Sequence, residues 1–131
     1  MISLMSALKT TNPAGQNGVE PADIWKARRF IEQHSTDAIS LTKVASAVNV
    51  SPTHLSEKFK NVTGTNFVNY VARKRFTTAC ELLQESDLPV SQIAFAAGFQ
   101  SLSQFNRIFK KLSGQTPQAY RRSKSLRNSL V

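Results

Sequence analysis

Between Leu102 and Ser113 the chain carries side chains suited to one kind of chemistry. Ser103, Gln104, Asn106, Arg107 and Lys110 all offer hydrogen-bond donors, and none of them is acidic. Phe105, Ile108, Phe109 and Leu112 recur among them at helical spacing, so one side of a helix can be buried while the polar-basic side stays in water. On such a face an Arg can pair bidentately with O6 and N7 of guanine. An Asn or Gln can pair with N6 and N7 of adenine, and a Ser with either base. Arg107, Gln104 or Asn106, and Ser103 are the candidates for those three roles, and Lys110 with Lys111 suits phosphate oxygens.

The residues upstream are what would hold that helix. Ile93, Ala94 and Ala97 form one apolar face of a short helix, and Gly98 breaks it where a left-handed residue ends a helix without steric cost. Ser101 with Gln104 reads as an N-cap and its capping-box partner, opening the next helix. Helix, tight turn, and helix with a basic outer face is the sequence shape of a helix-turn-helix DNA reader.

The same pattern occurs once before. Ser40 caps a helix with Leu41, Val44, Ala45 and Val48 inward, Asn49 ends it, and Ser51-Pro52 restarts a helix with Leu55, Phe59 and Val62 inward and Gly64 at its close. Val44 aligns with Ile93, Ala45 with Ala94 and Asn49 with Gly98. After one inserted residue, Gln100, Ser51 aligns with Ser101, Leu55 with Phe105, Gly64 with Gly114 and Tyr70 with Tyr120. Before the first copy, residues 21 to 34 form an amphipathic supporting helix in which Trp25, Ala27, Phe30 and Ile31 are expected to pack while Lys26, Arg29 and Gln33 face water. Between the copies, a long helix from Thr65 to about Ser86 carries Phe67, Val71, Phe76, Ala79, Cys80, Leu82 and Leu83. Its basic triplet Arg73-Lys74-Arg75 reads either as a solvated face or as a phosphate clamp, with Arg73 as the phosphate-contacting candidate. Pro117 opens a last short helix reaching about Ser123.

The bulk numbers agree with a polyanion partner. The 131 residues carry a formal net charge of +9, and no acidic residue follows Asp87, which leaves Arg107, Lys110, Lys111, Arg121, Arg122, Lys124 and Arg127 unopposed. Cys80 is the one cysteine, so an internal disulfide and a thiolate metal cluster are excluded, and the residue reads as a buried, inert thiol. No apolar run approaches the ~18 residues of a membrane span, and the N-terminus lacks the pattern of a signal peptide. His54 has no partners at metal spacing, His34 reads as a helix-end residue, and Glu81 with Glu85 reads as a solvated face. Without a phosphate loop, nucleophile motif or His/Asp constellation, the chain is not expected to be an enzyme, and neither cofactor nor metal is expected.

These residues resemble the AraC/XylS family of bacterial transcription regulators. The resemblance covers roughly residues 22–123. It is most specific in I-A-x-x-x-G-F-x-S-x-S-x-F-x-R-x-F-K-K-x-x-G-x-T-P-x-x-Y-R, from Ile93 to Arg121, with L-x-x-V-A-x-x-V-x-V-S-P-x-H-L-S-x-x-F-K-x-x-x-G as the earlier half. It implies an all-α fold of about seven helices, with two helix-turn-helix subdomains joined by a long linker helix. Two recognition helices, about 52–63 and 102–113, would lie in successive major grooves, about one helical turn of DNA or ~34 Å apart. It implies base-facing roles for Leu102, Ser103, Gln104, Asn106 and Arg107 in the second recognition helix, and for Thr53, His54, Ser56 and Glu57 in the first. Glu57 departs from the family, where a basic residue is usual; an acid would accept from cytosine N4 but repel phosphate. Phosphate contacts are expected from Lys58, Lys60, Arg73, Lys110, Lys111, Thr116 and Arg121.

The expected organisation is a linker or tail of a preceding domain at 1–21, subdomains at 22–64 and 87–123, the linker helix at 65–86, and a flexible basic tail at 124–131. Met1 to Leu8 could form one or two helical turns. The expected function is sequence-specific binding of double-stranded DNA in the cytoplasm, at the nucleoid, by a monomeric chain. RNA polymerase would be a further partner if the protein activates, and a small-molecule effector would act only through a domain absent here. The alternative is a basic amphipathic module that binds nucleic acid nonspecifically, a protein partner or an anionic membrane surface. That alternative would show comparable binding to anionic lipid and to duplex DNA.

Overall fold

The computed structural model describes residues 20–129, with side chains through Lys124. The expectations for residues 1–19 lie outside the described residues. Seven helices make up the described chain, and no strand occurs among the described residues. They are α1 (Ala22–His34), α2 (Leu41–Ala47), α3 (Pro52–Thr63), α4 (Phe67–Glu85), α5 (Val90–Ala96), α6 (Leu102–Ser113) and α7 (Pro117–Ser129). The last runs one and a half turns beyond the expected end near Ser123 and takes in much of the segment expected to be a flexible tail.

The chain folds as two compact units. The first holds the described residues to Gln33 together with Ile39–Tyr70, and the second holds His34–Ala38 together with the residues from Val71 onward. The helix expected to stand between two subdomains is therefore divided: the first turn of α4 packs in the first unit and the remainder is a core element of the second.

In the first unit Ile24, Ala27 and Ile31 of α1, Val44 and Ala45 of α2, and Leu55 and Phe59 of α3 are fully buried. Phe59 meets Phe67 and Tyr70 edge-on, with ring centroids 6.2 and 5.0 Å away, an arrangement the ring quadrupoles favour. Glu20 and Arg28 pair through two oxygens, at 2.8 and 3.0 Å, and the same guanidinium reaches the Tyr70 hydroxyl at 3.5 Å. That carboxylate raises the Arg28 pKa, so the charge is retained at any ordinary pH.

Trp25 corrects the expectation for α1: it is 49% exposed. The buried stripe follows Ile24, Ala27 and Ile31, and Trp25 lies about 100° around the helix from Ile24, outside the stripe. Its ring is covered instead by the Arg29 guanidinium, 5.2 Å from the centroid and one turn further on.

The second unit repeats this construction with a different first helix. Ala79 and Leu83 of α4, Ile93, Ala94 and Ala97 around α5, Phe99 of the turn, and Phe105 and Phe109 of α6 form one core, with Phe76, Cys80, Ile108 and Tyr120 packed against it. Phe109 sits 4.9 Å from Phe76, 5.6 Å from Phe105 and 5.3 Å from Tyr120, centroid to centroid. Burying one such side chain stabilises by about 1.5–3 kcal/mol, so this aromatic cluster fixes the inner face of α6 firmly.

Candidate nucleic-acid interface

The two turns are built alike at the level of single hydrogen bonds. Asn49 has φ of 63° and Gly98 has φ of 105°, the left-handed conformation expected of both. Val50 donates to the Ala45 carbonyl and Phe99 to the Ala94 carbonyl, each at 3.0 Å. Asn49 donates to Ser46 at 3.2 Å and Gly98 to Phe95 at 3.0 Å. Both are Schellman closures, which satisfy the last carbonyls of the first helix and turn the chain sharply into the second.

Ser51 and Ser101 then open α3 and α6, their hydroxyl oxygens accepting from His54 N–H and Gln104 N–H at 3.1 Å each. Gln104 differs from the expected capping box: its Oε1 accepts from the N–H of Gln100, at 3.0 Å, and not from that of Ser101. The other ends match too. Gly64 and Gly114 are left-handed, at φ of 80° and 82°. Thr63 and Ser113 hydroxyls donate to Phe59 and Phe109 carbonyls and accept from the N–H of Thr65 and Gln115.

On α6 this leaves Leu102, Ser103, Asn106, Arg107, Lys110 and Lys111 exposed above the buried Phe105 and Phe109, with Gln104 half-buried at the start. Among the described residues, Arg107, Lys110 and Lys111 enter no ion pair, so their charges face solvent unopposed. On α3 Thr53, His54, Glu57 and Lys60 are exposed, while Ser56 and Lys58 are half-buried. Lys58 aligns with Ile108, a position at the edge of the inward face, and Glu57 aligns with Arg107.

Asp23, which sequence reasoning placed only at the dipole of α1, reaches this face. Its Oδ1 accepts from Ile24 N–H at 2.9 Å, while Oδ2 lies 3.2 Å from Lys58 Nζ and 3.4 Å from His54 Nε2. Partial burial works to raise the Asp23 pKa, but the hydrogen bonds from Lys58 and His54 outweigh it and hold the carboxyl below its ordinary 3.8.

The remaining phosphate-contacting candidates separate into two groups. Arg73 is exposed on α4, and Thr116 is exposed at the start of α7, where its hydroxyl oxygen accepts from Ala119 N–H at 3.1 Å. Arg121 points the other way: its Nε donates to the Leu83 carbonyl and its Nη2 to the Ser86 carbonyl, both at 3.1 Å, closing the C-terminal end of α4. Arg75 corrects both readings of the basic triplet. It is 7% exposed, and its Nε and Nη2 donate to the Ser35 and Asp37 carbonyls at 2.7 and 2.9 Å. Burial lowers its pKa from the ordinary guanidinium value. The signal was present in the spacing, because Arg75 stands four residues from both Val71 and Ala79 on the buried stripe of α4.

Outside this face the chemistry is quiet. Cys80 is half-buried and burial pushes its thiol pKa up, which favours the inert form. Glu81 and Glu85 are exposed, and His34 ends α1 beside Asp37 at 3.1 Å. No group of three metal-ligating side chains occurs among the described residues, and no described helix is long and apolar enough to cross a membrane.

The profile of a helix-turn-helix domain matches residues 44–123. The chain is 42% identical over 96 residues to the regulatory protein PocR of Salmonella typhimurium, covering 73% of this chain and 32% of that protein. It spans between a quarter and two fifths of the length of such curated relatives. Among solved structures it is similar to the C-terminal domain of AraT, a response regulator from Geobacillus stearothermophilus. The TM-score is 0.76 at 34% identity, over 79% of this chain and 86% of that one. The DNA-binding domain of AdpA, solved with a target DNA, has the same fold: TM-score 0.77 at 22% identity, over 82% of this chain and 96% of that one. With two helix-turn-helix copies in register and these likenesses over most of its length, the chain belongs to the AraC/XylS family.

Proposed function

We propose that this chain reads double-stranded DNA sequence-specifically through α3 and α6, as the DNA-binding part of a transcription regulator. The observation that carries the proposal is α6. Its inner face is locked by Phe105 and Phe109, and its outer face presents exposed Ser103, Asn106, Arg107 and Lys110 with no acid among them. A rigid helix of this kind meets the requirements of a major groove, and α3 repeats its caps and turn.

In this reading Arg107 pairs with guanine and Asn106 with adenine, Ser103 reads either, and Leu102 packs against a thymine methyl. Gln104 takes a narrower role than its residue type suggests. With Oε1 already accepting from the Gln100 N–H, the amide N–H groups are its freest partners for a base, and it is assigned to an acceptor such as guanine O6, adenine N7 or thymine O4. On α3, Thr53 and Ser56 are donors, His54 offers its Nδ1 to a base while Nε2 faces Asp23, and Glu57 accepts from cytosine N4. Lys60, Arg73, Lys110, Lys111 and Thr116 contact phosphates, and Arg121 serves chiefly to tie α7 to α4. The chain binds as a monomer, with RNA polymerase as a further partner if it activates.

Selection from randomised duplex DNA tests this. The expected outcome is a recovered consensus bound far more tightly than random duplex, and much more tightly than anionic vesicles. Recovery of no consensus would leave the chain a nonspecific basic module.

A further inference from the structure

Resting on the DNA reading above, we infer that Asp23 is an internal counter-ion for the first reader, holding Lys58 and His54 of α3 so that Lys58 adds little to phosphate binding. Asp23 lies on α1, outside the helix-turn-helix, yet its carboxylate reaches across to α3. Its two oxygens divide the work: Oδ1 is fixed by Ile24 N–H at 2.9 Å, and Oδ2 receives both Lys58 Nζ at 3.2 Å and His54 Nε2 at 3.4 Å. The carboxylate side chain is only 20% exposed, so water competes weakly for it. Lys58 occupies the half-buried edge of α3 that Ile108 occupies on α6, which draws its stem inward toward Asp23. On α6 no carboxylate approaches the reading face among the described residues, so the device belongs to the first copy alone.

The physical consequence concerns counterions. A lysine that stands free in solution gathers counterion-like screening and, on meeting a phosphate, lets the DNA release a bound cation. Each such contact adds about 0.9 to the slope of log affinity against log salt. Lys58 already has a fixed anion as its neighbour, so neutralising a phosphate requires it to leave Asp23. The carboxylate meanwhile repels the approaching backbone. Together with Glu57 of α3, Asp23 on α1 lowers the sequence-independent attraction of α3 and leaves its binding to depend more on base contacts.

The test compares parent chain, Asp23→Asn, Lys58→Ala and the double substitution on a labelled 30-base-pair duplex of mixed sequence, titrated between 50 and 200 mM salt. Asn keeps the shape and the contact to Ile24 N–H, and thermal melts of each variant confirm folding. Asp23→Asn is expected to bind more tightly at low salt and to steepen the slope by about one, which is about a 3.5-fold larger loss across that range. In the Lys58→Ala background the same substitution is expected to leave the slope unchanged. An Asp23→Asn slope equal to the parent's, or a steepening that persists without Lys58, would overturn the counter-ion role. Failure of the parent chain itself to bind duplex would overturn the DNA reading, and this inference with it.

Discussion

Arg107 and Glu57 occupy the same position in the two copies, and they frame what single residues contribute. Replacing Arg107 with Ala is expected to cost about 1–3 kcal/mol of specific binding and to relax preference at one or two base pairs, read by repeating the selection with the variant. Lys110→Ala is expected to weaken all duplexes alike and to make the salt slope shallower by about 0.9; an unchanged slope would remove Lys110 from the phosphate contacts. Asp23 makes a prediction about stability. Its carboxyl titrates lower in the folded chain than its ordinary 3.8, so the ionised form is favoured by folding. The stabilisation is present above that value and disappears as pH falls through the folded value. Melts from pH 6 to pH 3 are therefore expected to show a smaller acid loss for Asp23→Asn than for the parent.

At the scale of elements, two of the three left-handed glycines, Gly64 and Gly98, are predicted to behave differently. A Cβ at Gly64 meets nothing within 4 Å, so Gly64→Ala carries only the backbone strain of φ near 80°, about 1–2 kcal/mol. A Cβ at Gly98 overlaps the Ser35 carbonyl oxygen and lies 2.8 Å from Arg75 Nε and 2.9 Å from Thr36 Cα. Gly98→Ala is expected to cost about 3 kcal/mol or more, because backbone cannot yield as a flexible side chain does. Chemical denaturation of both variants decides between this contrast and equal effects. Ser40, Ser51 and Ser101 as caps, and Asn49, Gly64, Gly98 and Gly114 as turns, act through bonds to residues a few positions away, so local chemistry identifies them. Arg75 and Asp23 act on partners 38 and 40, and 31 and 35, residues distant, and no local pattern names those partners. Trp25 misled because residue type outweighed register: the helical angle placed it off the stripe that Ile24 and Ile31 define.

The whole molecule comprises two units with one plan and unequal charge. Each turns sharply through a left-handed residue between short helices and each caps its reading helix with serine, but α6 carries Arg107, Lys110 and Lys111 where α3 carries Glu57, Lys60 and Asn61. The second unit is therefore expected to supply more of the affinity and the first to act mainly through base discrimination. Selection from randomised duplex with the parent chain, repeated with Arg107→Ala and with His54→Ala, tests this most directly. A consensus in two separate blocks is expected, with Arg107→Ala weakening one block and the total affinity strongly, and His54→Ala degrading only the other. A single block, or both substitutions eroding the same base pairs, would contradict it.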